Sequence, residues 1–94
     1  MTNLRVLFRR EAVEGEGGVG VDVMWAAIGL EHDIVASGST IFEAYWAFKQ
    51  TVRAEMRSLT NRSLTIDAIP PAPIEYFNEY EEAKKHGLVT ICKI

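Results

Sequence analysis

The run from Leu30 to Ala44, LEHDIVASGSTIFEA, constrains this chain more than any other stretch, because a strand end, a turn and a helix start follow one another within it. Ile34 and Val35 are β-branched and favour a pleated, half-buried surface, whereas Gly38 offers the backbone freedom of a tight turn. A short strand, about Asp33 to Ser37, is expected to stop there. Thr40 and Glu43 then stand in the T-x-x-E spacing of a capping box. In that arrangement the threonine hydroxyl accepts from the Glu43 amide, and the glutamate reaches back to the Thr40 amide. A helix therefore starts at Ile41.

Its periodicity carries it to about Ser58, with Ile41, Ala44, Tyr45, Phe48, Val52 and Met56 at the three-and-four spacing of a buried stripe. Tyr45 and Phe48 are expected in the core. Phe42 and Trp46 lie one turn apart on a neighbouring flank, where they either widen the core contact or stand exposed as an adhesive patch. Packing is the usual reason for aromatics at helical spacing, and the core position is the expectation. Lys49, Arg53 and Arg57 recur every four residues on the polar side. A solvated face near the helix C-terminus accounts for them, with phosphate contact as the alternative.

Upstream, Leu4 to Val13 alternates as a strand, with Leu4, Val6 and Phe8 on its core face and Arg5, Leu7 and Arg9 on the other. Glu14-Gly15-Glu16-Gly17-Gly18 is too irregular for a phosphate-binding fingerprint and reads as a hairpin loop. Val19 to Leu30 is a long strand with apolar residues on both faces, so it should be largely covered on both. Downstream, Leu64 to Ile69 is extended, either a short strand or a covering segment, and Pro70, Pro71 and Pro73 are expected to end pairing. A second helix runs from about Ile74 to His86, with Pro73 at its start and Gly87 as its stop. Leu88 to Ile94 reads as a terminal strand, a natural edge for pairing with another subunit. The expected fold is α+β: one domain over residues 1–94, built as a three-strand meander, a helix, a second helix and a terminal strand on a mainly antiparallel sheet.

The block Gly38-Ser39-Thr40 with Glu43-Ala44, following an apolar strand, resembles the signature of HicB-like antitoxins. The resemblance spans roughly Val21 to Arg57, and the tail Ile69-Pro70-Pro71-Ala72-Pro73 with Tyr76-Phe77 resembles a subset of the family. It implies a partial RNase H-like β-β-β-α-β core that binds and occludes a small basic ribonuclease toxin. Family members commonly continue into a ribbon-helix-helix or helix-turn-helix module; this sequence ends at Ile94, so that DNA-binding half is not expected here.

Composition narrows the function further. With 48% hydrophobic residues and nine aromatics of Phe, Tyr and Trp type, the 94-residue chain is globular in character. Cys92 is the only cysteine, which excludes an internal disulfide and a multi-cysteine zinc site and favours a cytoplasmic protein. No apolar run approaches the ~18 residues of a membrane span. A formal net charge of −3 disfavours a general nucleic-acid binder and suits a basic protein partner. Only Glu31-His32-Asp33 gathers the residue types of acid-base or metal chemistry, and strand alternation turns His32 away from the two carboxylates. No nucleophile elbow, metal set or cofactor motif is present, so no enzyme is expected.

Two functions of different class remain. The first is an antitoxin-like interaction domain, with Glu31, Asp33, Phe42 and Trp46 as contact candidates and a homodimer or higher oligomer as its state. The alternative is a nucleic-acid-binding module that uses Lys49, Arg53 and Arg57 with Arg62. A stand-alone homo-oligomeric domain without a toxin is indistinguishable from the first by sequence.

Overall fold

Alternation along the two long strands decides the architecture, because both of their faces carry apolar side chains that need a cover. The computed structural model describes residues 3–14 and 21–94, with the backbone alone for residues 13, 14, 21 and 22. The expected loop at Gly15 to Gly18, and the start of the second strand at Val19, lie outside the described residues. Six elements follow in chain order: β1 (Asn3–Glu14), β2 (Val21–Gly29), β3 (Val35–Gly38), α1 (Ile41–Asn61), α2 (Ile74–Lys84) and β4 (Val89–Lys93). The fold is α+β, with one antiparallel sheet in the order β3-β2-β1-β4. Val89–Lys93, not the 64–69 segment, completes the sheet, by pairing Leu4 with Cys92 and Val6 with Thr90.

The register sorts the side chains into two cores. Phe8 pairs with Ala27 and Ala27 with Ala36. This face, with Leu4, Val6 and Ile34, is closed by Ala44, Phe48 and Val52 of α1. On the opposite face Leu7 pairs with Ile28, and together with Ala26 and Leu30 it packs against Ala72, Tyr80 and Ala83. The sheet is thus the middle of three layers. Ala26, Ala27 and Ile28 are buried in succession, as a doubly covered strand requires.

The second cover explains two arginines on a buried face. The Arg5 guanidinium carbon lies 5.4 Å from the ring centre of Phe77 and 5.6 Å from that of Tyr80, and Arg9 lies 5.6 Å from Tyr76. Each stem packs on apolar surface while its charge rests over an aromatic ring. Tyr76, Phe77, Tyr80 and Ala83 give α2 its inward stripe.

Several boundaries differ from expectation for local reasons. Helix α1 runs three residues past Ser58 because Leu59 continues the stripe and is 2% exposed. The chain then turns at Ser63, which holds a positive φ of 58°. Helix α2 ends at Lys84, ahead of His86, and Gly87 at φ +68° is the expected stop. Ile66–Ala68 is a single 3-10 turn and not a strand. Tyr45 is only half-buried, its ring edge-on to Phe8 at 5.8 Å, whereas Phe48 is fully buried. Phe42 and Trp46 do not join the core: they are 88% and 62% exposed.

Gly38 is required for a different reason from the one its turn position implies. Its φ is not positive; a Cβ there would stand 2.6 Å from the Ala44 backbone nitrogen and 2.7 Å from the Glu43 Cβ. Close approach of β3 to the start of α1 is what excludes a side chain. At Gly87 the situation is reversed, with nothing within 4 Å of an added Cβ and only the backbone angle against it. Gly87→Ala should therefore cost about 1 kcal/mol, and Gly38→Ala should cost more, because backbone must move. Phe48→Ala should cost about 3 kcal/mol or more, as for other core aromatics. Urea unfolding of the three variants checks the order, and a Phe48→Ala loss below about 1 kcal/mol would contradict this helix phase.

Candidate protein-interaction surface

The Glu31-His32-Asp33 cluster alone gathers the residue types of acid-base chemistry, and the structure ties the Glu31 and His32 side chains and the Asp33 amide into the fold. At Arg5, strand β2 turns away. The Leu30 amide still donates to the Arg5 carbonyl at 3.0 Å, but the reciprocal ladder bond is replaced. The Arg5 amide donates to Glu31 Oε1 at 2.7 Å, and Arg5 Nε donates to Glu31 Oε2 at 2.5 Å. The Leu30 carbonyl, so released, accepts from the Ala72 amide at 2.9 Å.

Two further bonds complete this knot. Asp33 donates its amide to the Pro70 carbonyl at 2.7 Å. The His32 ring, 8% exposed, lies with Nδ1 2.8 Å from the Ile69 carbonyl oxygen. A carbonyl can only accept, so Nδ1 carries the proton. The prolines therefore do not end main-chain bonding: proline lacks the N–H but keeps its carbonyl, and Ala72 between them still donates.

Glu31 is consequently not a free contact for a partner. Burial pushes its carboxyl up, but the hydrogen bonds and charge of Arg5 outweigh this and hold it below the ordinary glutamate range. Asp33 is exposed and lines a shallow groove with Thr51, Glu55 and Ile69. Phe42 and Trp46 stand on another flank of α1, so the acidic and aromatic candidates do not share a surface. The capping box is also partly rearranged. The Glu43 amide donates to the Thr40 hydroxyl at 3.0 Å as expected, but its carboxylate takes the Ser39 amide at 3.0 Å and the Ser39 hydroxyl instead of the Thr40 amide.

What the structure does bring together is a stripe divided in the sequence reading into an aromatic pair and a basic trio. Phe42, Trp46, Lys49, Arg53 and Arg57 recur at steps of four, three, four and four, which places them on one flank of α1. The spacing was readable; the part played by the sheet was not. Helix α1 lies closest to β3 and β2, while its inward stripe still buries Leu4, Val6, Phe8 and Cys92 of β1 and β4, so its outer flank stands beside those two strands as a step above a shelf. Phe8, Ile41, Phe42, Tyr45, Trp46 and Thr90 line a mainly apolar groove of about 340 Å³ there. A second groove of about 450 Å³ continues it between Arg53, Met56 and Arg57 on the helix and Cys92 to Ile94 at the end of β4 and just beyond. Lys49 lines both and sits 5.0 Å from the Tyr45 ring centre. Among the described residues, none of Lys49, Arg53 and Arg57 is in an ion pair. Arg62, beyond the helix end, is not part of either groove.

No group of three or more His, Cys, Asp or Glu among the described residues could hold a metal ion. Cys92 is buried, and no described helix is long and apolar enough to cross a membrane. Compared with protein-family models, curated proteins and solved structures, the chain matches none.

Glu31 generates a pH prediction. A carboxyl depressed in the folded state stabilises it fully above the unfolded value, and that contribution is lost as pH falls through the folded value. The Glu31 contribution should therefore be complete above the ordinary value of 4.5 and disappear below it. Glu31→Gln should lower the urea midpoint at about pH 7 but leave a smaller gap to the parent at about pH 3. An equal gap at both pH values would show that the carboxylate charge is not what holds the knot.

Proposed function

We propose that this chain is a non-catalytic protein-interaction domain that works in the manner of an antitoxin, by docking on another protein. The observation that carries the proposal is the exposure of Phe42 and Trp46 beside an apolar groove, on a helix whose opposite side is fixed in the core. Large exposed aromatics on a rigid element supply contact area with little ordering cost, which is how interface anchors work. The sheet edge adds a second feature: β4 ends the order β3-β2-β1-β4 and has β1 on one side only. A second copy pairing its own β4 there would make a dimer, the oligomer we propose.

A small ribonuclease toxin is the partner that the HicB resemblance implies. Its contact surface here is the Phe42 and Trp46 groove, and not Glu31. The nucleic-acid alternative gains from the convergence of Lys49, Arg53 and Arg57 on one groove. Against it stands the net charge of −3.

Co-expression of this chain with the small open reading frame adjacent to its gene, followed by purification at low salt, tests the interaction function. A stable complex is expected, with Trp46→Ala weakening it about tenfold or more, the range of an interface anchor. Retention of nucleic acid through Lys49 and Arg53, with no protein held, would replace the reading with the nucleic-acid module. Light scattering coupled to size exclusion should give a dimer, and a monomer at high micromolar concentration would remove the β4 pairing.

A further inference from the structure

The stripe on α1 is chemically polar along its length, and that polarity bears on what covers it. Its N-terminal third is apolar, Phe42 and Trp46 standing over Phe8, Ile41, Tyr45 and Thr90. Its C-terminal part is cationic, with Lys49, Arg53 and Arg57 on the helix. Among the described residues, no Asp or Glu side chain lines either groove. Of the helix acids, Glu43 sits at the apolar end, tied to Ser39, and Glu55, between Arg53 and Arg57 in sequence, lines the other flank with Asp33 and Thr51.

We infer that the groove between α1 and β4 takes an acidic segment of a partner protein, with an apolar side chain seated against Phe42 and Trp46 and carboxylates against Lys49, Arg53 and Arg57. This rests on the reading of the chain as a protein-interaction domain and names the chemistry of what it holds. Charge complementarity is the deciding argument. Three cations, Lys49, Arg53 and Arg57, stand along grooves that no Asp or Glu side chain lines among the described residues, in a chain whose net charge is negative. An occupant bearing carboxylates removes that repulsion and gains directional bonds to the two guanidinium groups.

The other occupants fit less well. A second copy would bring the same cations against these, since the stripe holds no acid of its own. A nucleic-acid strand needs cations along its whole phosphate path, whereas here they stop at Lys49 and the path continues over an apolar pocket toward Glu43. A partner of net basic charge is not excluded by this chemistry, because only the docked segment has to be acidic.

From Phe42 to Arg57 the helix rises about 22 Å, which about seven extended residues span. A fluorescein-labelled peptide of about that length, a leucine-phenylalanine pair followed by alternating glutamate and serine, is therefore a suitable probe. Its controls are the same peptide with lysine for glutamate, and a labelled oligothymidylate of similar span. Anisotropy at low salt should show binding of the acidic peptide that weakens as salt rises, with little binding of the lysine peptide. Trp46→Ala and the double variant Lys49→Glu with Arg53→Glu should each weaken it about tenfold or more. All three positions are outside the buried core, and an unchanged unfolding midpoint confirms that the variants fold.

Tighter binding of the oligothymidylate, no binding of the acidic peptide, or equal affinity in the double variant overturns the inference. So does conversion of a dimer to a monomer by Trp46→Ala, which would make a second copy the occupant. A co-expressed protein complex broken by Trp46→Ala but unaffected by Lys49→Glu with Arg53→Glu would leave the interaction function standing and remove only the acidic chemistry.

Discussion

The carboxylate of Glu31 substitutes for a missing strand. Where β2 bends away at Leu30, the Arg5 amide loses its ladder partner, and an unpaired amide at a partly buried site costs free energy comparable to a lost hydrogen bond. Glu31 accepts that amide and the Arg5 guanidinium together. Because it does so, the Leu30 carbonyl is free for Ala72, and the neighbouring bonds from Asp33 to Pro70 and from His32 to Ile69 follow in register. The chain leaves α1 on one face of the sheet and must reach α2 on the other. The knot at residues 30–33 fixes the crossing, and Arg5, between Phe77 and Tyr80, then anchors α2 where the crossing delivers it. Side chains of Arg5 and Glu31 are 40% and 30% exposed, so the ion pair itself contributes modestly. The larger contribution is geometric: one carboxylate helps fix where the chain after Ile69 crosses to the α2 face.

How much of this was legible depends on whether the deciding forces are local. The Thr40 cap on the Glu43 amide, the phase of α1 through Phe48 and Val52, the Gly87 stop and the terminal strand all rest on neighbours within one or two turns and are legible in the sequence. The core face of Leu4, Val6 and Phe8 was equally readable from alternation. The second cover was not. Leu7 between Arg5 and Arg9 looks half-polar in sequence, and only the aromatic face of α2 makes it 1% exposed. Glu31 as a partner contact fails for a related reason: the partners of Glu31 and His32 lie 26 and 37 positions away, at Arg5 and Ile69.

The interaction surface shows the same division. Steps of four, three, four and four from Phe42 to Arg57 define a single flank of a helix, a relation available without coordinates. Reading it as two separate features came from sorting residues by chemistry before sorting them by phase. Whether the flank is covered depends on where the helix sits on the sheet, and α1 sits over β3 and β2. Had it crossed toward β4, Phe42 and Trp46 would be core residues and Tyr45 would be fully buried.

Placement of α1 over half of the sheet is itself a consequence of Gly38 and Gly29. At Gly38 the helix start approaches β3 so closely that a Cβ would meet backbone, and at Gly29 a Cβ would stand 2.7 Å from the His32 carbonyl oxygen and 3.3 Å from the Phe48 ring. Both glycines let α1 and the knot draw in on the β2-β3 side, where side chains would hold them off. The opposite flank is left with a helix wall, a strand floor and, among the described residues, no covering element. Covering that shelf with a further helix of the same chain would serve stability; leaving it lined by two exposed aromatics and unpaired cations leaves desolvation and charge pairing to be gained on association instead. That is the energetic argument for the docking surface we propose.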